Sequence, residues 1–128
     1  MGKIEDNTVA DPNRKGLKQA GVLKKHALLV VLSKNFFGRS QVIEKPVTII
    51  GRQDDCDLTL ADPLLSRKHC RVLADENGDY NLEDLSSTNS TYLNSKEIRK
   101  REKLHYGDRI VVGDTILRFY LEEEARKK

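Results

Sequence analysis

The segment DPLLSRKHC (62–70) places Ser66 three residues before His69, with two basic residues between them. A serine and a histidine together are the nucleophile and general base of many acyl-transfer enzymes. A serine beside cationic side chains instead offers hydroxyl and charged donors to an anion such as phosphate. A third interpretation is that Ser66 only forms a turn before an apolar strand.

The catalytic interpretation is the weakest of the three. Positions i and i+3 of a strand point to opposite faces, and the nucleophile-elbow motif G-x-S-x-G does not surround Ser66. We therefore expect a binding protein rather than an enzyme, with no catalytic residue.

Two further polar segments lie between apolar runs. Arg52 follows Gly51 in GRQDD (51–55), and EDLSSTNSTYLN (83–94) concentrates hydroxyl side chains around Asn89. Loops at one end of a β-sandwich converge, so distant segments can build one surface. An arginine fork, hydroxyl groups and loop N–H groups without acids would suit phosphate.

The elements that position these loops are short β-rich runs separated by turn residues. Asn77-Gly78, between two of the runs, predicts a type I′ hairpin turn. Many short runs at nearly regular spacing predict an all-β sandwich or barrel. The runs are HALLVVLS (26–33), RSQVIE (39–44), VTIIG (47–51), CDLTLA (56–61), HCRVLADE (69–76), DYNLEDL (79–85), TYLN (91–94), RIVVG (109–113) and TILRFYLEE (115–123).

Charge and texture divide the chain into three parts. Residues 1–24 read as a flexible basic N-terminal tail, residues 25–121 as the domain, and residues 122–128 as a C-terminal tail or the start of a linker helix. The net charge of +3 comes from the first 25 residues, and the remainder is neutral overall. KEIRKREK (96–103) nets +3 and predicts a solvated strand-and-turn surface; the alternative is that it attracts acidic residues of a ligand. We expect no nucleic-acid or membrane partner.

The two cysteines, Cys56 and Cys70, lie in apolar stretches without a C-x-x-C motif or a nearby histidine pair. They are predicted to be small buried hydrophobes in a reducing, cytoplasmic compartment. No metal and no cofactor are expected.

Four blocks in order and spacing resemble the forkhead-associated (FHA) domain, over roughly residues 26–121. The resemblance implies an all-β, antiparallel β-sandwich of about eleven strands, with recognition loops at one end that bind phosphothreonine-containing proteins in signalling. The blocks are GR (51–52), SRKH (66–69), DLSSTNSTYLN (84–94), and YGD (106–108) with VG (112–113).

The resemblance also implies a role for each site residue. The residues that would contact the phosphopeptide are Arg52, Ser66, Arg67, Thr88 and Asn89. Those that would support the site are Gly51, His69, Asp84, Ser87 and Asn94. His69 is expected to be buried and neutral.

The chain departs from the resembled pattern where three serines replace frequent glycines: Ser86, Ser90 and Ser95. Glycine is favoured where a loop needs a positive φ, so these loops are expected to differ in geometry or to be mildly strained.

Three alternatives concern the ligand and the context. One is a phosphate-independent interaction domain that uses a face of the sandwich. Another is an input module of a larger signalling protein, such as a diguanylate cyclase, connected through LEEEARKK (121–128). A third is a ligand within the chain itself, since Thr8 begins a Thr-x-x-Asp sequence that some FHA domains bind once phosphorylated. Pro63, Leu64 and Leu65 instead favour an apolar residue three positions after the phosphothreonine.

Overall fold

Eleven strands and one short 3-10 helix form the part of the chain that the structure, a computed structural model, describes: residues 26–122. The predictions for the N-terminal tail, for Thr8 and for residues 123–128 lie outside these residues. The 3-10 helix is Lys34–Phe36. The strands are β1 (Ala27–Val31), β2 (Ser40–Ile43), β3 (Val47–Gly51), β4 (Leu58–Thr59), β5 (Cys70–Ala74), β6 (Tyr80–Asp84), β7 (Thr91–Leu93), β8 (Lys96–Glu97), β9 (Glu102–Lys103), β10 (Arg109–Val112) and β11 (Thr115–Leu121).

The strands form two sheets, which confirms the predicted β-sandwich and its eleven strands. One sheet has the order β2-β1-β11-β10-β7-β8 and the other β4-β3-β5-β6-β9. All pairings are antiparallel except that of β3 with β4, so the five-stranded sheet is mixed. The two-residue strands β8 and β9, each at an edge of its sheet, lie in the segment predicted as a strand-and-turn surface. No helix in residues 26–122 is long and apolar enough to cross a membrane.

The core lies between the sheets because the strands alternate inward apolar and outward side chains. In β1, Ala27, Leu29 and Val31 are buried while the residues between them are partly exposed. Phe119 of β11 stacks at an angle on Tyr80 of β6, with ring centroids 5.4 Å apart. Buried residues of both sheets form one cluster, which includes Ile43, Ile50, Leu58, Val72, Leu82, Ile110, Val112 and Leu117.

Both cysteines are free and buried, as predicted. Burial raises the pKa of the Cys70 thiol to about 12, so it packs as a small hydrophobe. Burial also raises the pKa of Cys56, whose thiol donates a hydrogen bond to the carbonyl of Arg67 at 3.2 Å.

The polar segments converge because of the strand register. Cys70 at the start of β5 lies opposite Ile50 of β3 on one side and Asp84 of β6 on the other. The loops after β3, before β5 and after β6 therefore leave the sandwich at the same end. The loop after β6 runs to Thr91, where β7 begins in the other sheet.

The hairpin between β5 and β6 exists, but the predicted type I′ turn is wrong. Only Gly78 has a positive φ there, of 86°, and Asn77 does not. Instead the carboxylate of Asp75 accepts hydrogen bonds from the N–H groups of Asn77 and Asp79, at 2.9 and 3.0 Å. This side-chain contact favours a longer loop that closes on Gly78, the pattern of a type I turn followed by a bulge.

The three serines at frequent glycine positions keep the left-handed backbone. The φ angles of Ser86, Ser90 and Ser95 are 59°, 66° and 75°. Ser95 follows Asn94, whose φ is 49°, in the two-residue turn between β7 and β8. A left-handed conformation brings Cβ close to the following carbonyl oxygen in any residue but glycine. The expected mild strain is thus a property of all three positions.

Ser95→Gly is expected to raise the free energy of unfolding by about 0.5–1 kcal/mol, because glycine adopts this φ without the steric cost. The matched control is Ser40→Gly in β2, where the backbone is extended and glycine only adds unfolded-state entropy. Chemical denaturation of both variants measures the effect. Equal destabilisation by the two substitutions would contradict the strain at Ser95.

Candidate functional site

His69 connects the loops at the converging end. Its side chain is fully buried, as expected. Its Nδ1 accepts a hydrogen bond from the backbone N–H of Ser66 at 3.1 Å, and its Nε2 lies 2.8 Å from the carbonyl oxygen of Ser90. Because a backbone N–H can only donate and a carbonyl can only accept, the ring is neutral with its proton on Nε2. His69 thereby ties the loop before β5 to the loop after β6.

The Ser66 hydroxyl is fixed in position but donates no hydrogen bond among residues 26–122. Its Oγ accepts the backbone N–H of Thr88 at 3.0 Å, which leaves the hydroxyl proton available to a ligand. His69 contacts the backbone of Ser66 and not its Oγ, and both ring nitrogens are already engaged. The pair is therefore not arranged as a nucleophile with its base.

Arg52 is exposed and anchored at one point. Its Nε donates to the carbonyl of Leu65 at 3.0 Å, and its backbone N–H donates to the carbonyl of Ser66 at 3.1 Å. Within residues 26–122 the two terminal guanidinium nitrogens make no hydrogen bond or ion pair. The side chain is thus placed beside Ser66 with donors left for an anion.

Gly51 allows the loop before β5 to approach the end of β3. A Cβ added at Gly51 would lie 2.1 Å from the carbonyl oxygen of Arg67 and 3.0 Å from the sulfur of Cys56. That carbonyl also accepts the N–H of Gln53 at 3.1 Å. The side chain of Arg67 is exposed, while its carbonyl holds Gln53, the residue that follows Arg52.

Asn89 connects the loop after β6 to the loop before β5. Its Nδ2 donates to the carbonyl of Leu64 at 2.8 Å. The side-chain oxygen has no hydrogen bond within the described part of the chain, and the residue is exposed. Thr88, beside it, is exposed as well. Thus Arg52, Ser66, Thr88 and Asn89 share one end of the sandwich, and hydrogen bonds join the loops that carry them.

Asp84 fixes the base of the loop after β6. Its carboxylate accepts hydrogen bonds from the N–H and the Oγ of Ser87, at 3.0 and 2.5 Å, and from Oγ1 of Thr91 at 2.6 Å. Burial raises the pKa of Asp84, but the hydrogen bonds from Ser87 and Thr91 outweigh it and hold the pKa below its ordinary value. Asp84 and Ser87 therefore hold the start of the loop after β6 in place.

Asp62 is a support that the sequence analysis did not identify. Its carboxylate is 2% exposed and accepts bonds from the N–H of Leu64 at 2.9 Å, the N–H of Asp114 at 2.8 Å and Oγ1 of Thr115 at 2.9 Å. Burial raises its pKa, and these three bonds lower it below the ordinary value. Asp62 thus ties the segment before Ser66 to the turn between β10 and β11.

Asn94 is not brought to the site. Its amide donates to Oδ1 of Asp108 at 3.0 Å and accepts the N–H of Arg109 at 3.0 Å. β7 separates it from the converging loops, so Asn94 fixes the turn at the opposite end of the strand.

On the side of the loop after β3, the site carries both positive and negative side chains. Lys68 follows Arg67, and its ammonium lies 3.9 Å from the carboxylate of Asp55. Asp54 and Asp55 are both exposed in the loop that follows Arg52. Residues 26–122 show no group of three or more His, Cys, Asp or Glu side chains arranged to hold a metal ion.

Comparison with known proteins gives a consistent result. The FHA domain profile matches residues 48–113. The oxoglutarate dehydrogenase inhibitor of Corynebacterium efficiens is 36% identical over 87 residues, which cover 68% of this chain and 60% of that protein. The FHA domain-containing protein FhaB of Mycobacterium tuberculosis is 32% identical over 111 residues, 81% of this chain and 71% of FhaB. The chain thus spans only about three fifths of the length of the first of these relatives.

Solved structures agree with the sequence comparison. A structure from a study of phosphothreonine-dependent FHA domain interactions is 28% identical, with a TM-score of 0.68, and covers 74% of this chain and 95% of its own. Mycobacterium tuberculosis EmbR, in complex with a low-affinity phosphopeptide, is 27% identical with a TM-score of 0.68, over 84% of this chain and 28% of EmbR.

Gly51→Ala is expected to lower the free energy of unfolding by about 3 kcal/mol, because its Cβ would overlap the backbone carbonyl of Arg67. Gly38→Ala is the control, since a Cβ at Gly38 meets no atom within 4 Å and costs only the strain of its φ of 89°. Urea denaturation compares the two. A Gly51→Ala protein as stable as Gly38→Ala would show that the close approach does not exist.

Acid should destabilise the fold through Asp62 and Asp84. The pKa values of both carboxyl groups are lowered in the folded state. Their contribution to the free energy of unfolding is therefore complete above the unfolded pKa of 3.8 and is lost as the pH falls through the folded pKa values. Denaturation curves between pH 6 and pH 2.5 measure this loss.

In Asp84→Asn the free energy of unfolding should depend less steeply on pH than in the wild type. The exposed control Asp54→Asn should keep the wild-type pH dependence. Identical acid limbs for wild type and Asp84→Asn would contradict the assignment.

Proposed function

This chain belongs to the forkhead-associated (FHA) family, and from that premise we propose that it recognises a phosphothreonine-containing protein segment with Arg52, Ser66, Arg67, Thr88 and Asn89. The module acts by binding rather than by catalysis. The solved FHA relative described as phosphothreonine-dependent and the EmbR–phosphopeptide complex support the class of ligand.

One observation carries the proposal: the donors at the site are positioned but not used up. Ser66 Oγ is fixed by the N–H of Thr88, and Arg52 Nε is fixed by the carbonyl of Leu65. The hydroxyl proton and the terminal guanidinium nitrogens remain for a ligand. A phosphate supplies the matching acceptors, since it carries about −1.5 to −2 charges and three oxygens at pH 7.

The expected energies are sufficient to distinguish the phosphorylated residue from threonine. Hydrogen bonds to charged groups contribute about 1.5–3 kcal/mol each. An unmodified threonine offers one neutral hydroxyl and could replace only part of these bonds. The preorganisation of the loops by His69 and Asp84 adds to the affinity, because little conformational entropy is left to lose on binding.

The neighbourhood of Asn89 supports an apolar preference in the bound segment. Asn89 holds the carbonyl of Leu64, whose side chain is 43% exposed. An apolar ligand side chain placed there would bury this surface together with Pro63. Leu65, the third residue of the apolar group, is buried in the core and does not take part.

The organisation of the chain is part of the same proposal. Residues 25–121 are the binding domain, and residues 1–24 and 122–128 flank it. Two free, buried cysteines favour a reducing, cytoplasmic compartment. Whether the flanking residues supply a ligand, through phosphorylated Thr8, is tested by the same binding measurement with a Thr8 phosphopeptide.

Arg52→Ala is expected to weaken binding of a phosphothreonine peptide by at least tenfold, since it removes a charge-assisted contact. Arg52→Lys should recover only part of the affinity, because lysine lacks the planar fork and cannot reproduce the Nε bond to Leu65. Isothermal titration or fluorescence anisotropy with a phosphopeptide library provides the measurement.

The matched control is Arg109→Ala, which removes an exposed arginine at the other end of the sandwich and should bind like the wild type. Equal binding of phosphorylated and unphosphorylated peptides, unaffected by Arg52→Ala, would establish the phosphate-independent alternative instead.

A further inference from the structure

A basic segment runs beside the loop between β6 and β7, which carries Thr88 and Asn89. Residues 85–90 connect the end of β6 to the start of β7. Residues 98–101, here called the basic crossover, connect β8 to β9, the strands that pair with β7 and β6. At its start Ile98 donates to the carbonyl of Thr91 at 3.0 Å, and after its end Glu102 pairs with Leu82. The two connections therefore cross between the sheets side by side.

A direct contact chain links the basic crossover to the recognition loop. The hydroxyl of Ser90 donates to one carboxylate oxygen of Glu97 at 2.7 Å, and Arg99 lies 3.2 Å from the other oxygen. The carbonyl of Ser90 is the one that His69 holds. Arg99 is thus fixed relative to the phosphate-binding loop by two hydrogen bonds.

The crossover keeps an excess of positive charge. Arg99 is 81% exposed, although it pairs with Glu97. Arg101 lies 3.6 Å from Glu83, a carboxylate that Arg71 already contacts at 2.6 Å. Lys100 is exposed and has no ion pair or hydrogen bond among residues 26–122. The carboxylates within reach are therefore shared, and Lys100 is left without one.

The opposite side of the site has a different charge. There Asp54 and Asp55 follow Arg52, and Asp55 already pairs with Lys68. A ligand segment that carries carboxylates would be repelled on that side and attracted over the crossover.

We propose that the basic crossover, through Arg99 and Lys100, binds an acidic stretch of the same partner segment that places its phosphothreonine at Arg52 and Ser66. The inference rests on the proposed function and specifies its partner: a phosphoprotein whose phosphothreonine is flanked on one side by Asp or Glu. Exposed charges contribute little individually, so the acidic flank adds to affinity and selectivity without replacing the phosphate contacts.

The test compares four peptides with one neutral core: phosphorylated with neutral flanks, phosphorylated with three glutamates before the phosphothreonine, phosphorylated with three glutamates after it, and an unphosphorylated acidic peptide. One acidic phosphopeptide should bind the wild type about fivefold more tightly than the neutral one at low salt. This gain should disappear in Arg99→Ala/Lys100→Ala and decrease in 0.5 M salt, where charges are screened over roughly 3–5 Å.

The control is Lys96→Ala/Arg109→Ala, which removes two exposed positive charges at the far end of β7 and β8 and should keep the gain. Binding of the neutral phosphopeptide should be unchanged in both double variants. If it binds the wild type but neither acidic peptide binds more tightly, or if both double variants lose the gain equally, the crossover proposal is wrong. If the neutral phosphopeptide does not bind the wild type at all, the proposed function fails, and this inference with it.

Discussion

The arrangement of the site depends on one buried, neutral histidine. His69 receives the N–H of Ser66 and donates to the carbonyl of Ser90, so a single ring joins the loop before β5 to the loop that crosses from β6 to β7 in the other sheet. Because the ring is fully buried, leaving either of its nitrogens unsatisfied would cost about 1–3 kcal/mol. This constraint fixes the separation between Ser66 and the loop that carries Thr88 and Asn89.

The acidic residues near the site act as internal acceptors rather than as ligand contacts. Asp84 and Asp62 take the N–H and hydroxyl groups of neighbouring turns, and their lowered pKa values reflect those bonds. The groups that we propose to face the ligand are donors: the Ser66 hydroxyl and the Arg52 guanidinium. The carboxylates thus hold the loops, and the surface they hold is suited to an anion. Ser86 and Ser90, which have left-handed backbone conformations, belong to the loop after β6. The hydrogen bonds of Asp84 within this loop offset its strain.

Much of this could be predicted from the sequence, because strand alternation and motif spacing are local signals. The nine apolar runs gave the sandwich, and the motif blocks gave Arg52, Ser66 and the hydroxyl-rich loop. What could not be predicted depends on distant pairs. Asp62 meets Thr115 across 53 positions and Asn89 meets Leu64 across 25. Similarly, the turn type at Asn77-Gly78 was decided by the side chain of Asp75, and Asn94 proved to lie at the far end of β7.

The most direct test of phosphate recognition by this end of the sandwich is chemical-shift mapping of the backbone amides during titration with a phosphothreonine peptide. We predict saturable shifts concentrated at Arg52, Ser66, Thr88 and Asn89, and no comparable response to the unphosphorylated peptide. Shifts centred instead on the outer face of the six-stranded sheet, around Val42 and Tyr92, and equal for both peptides, would contradict it.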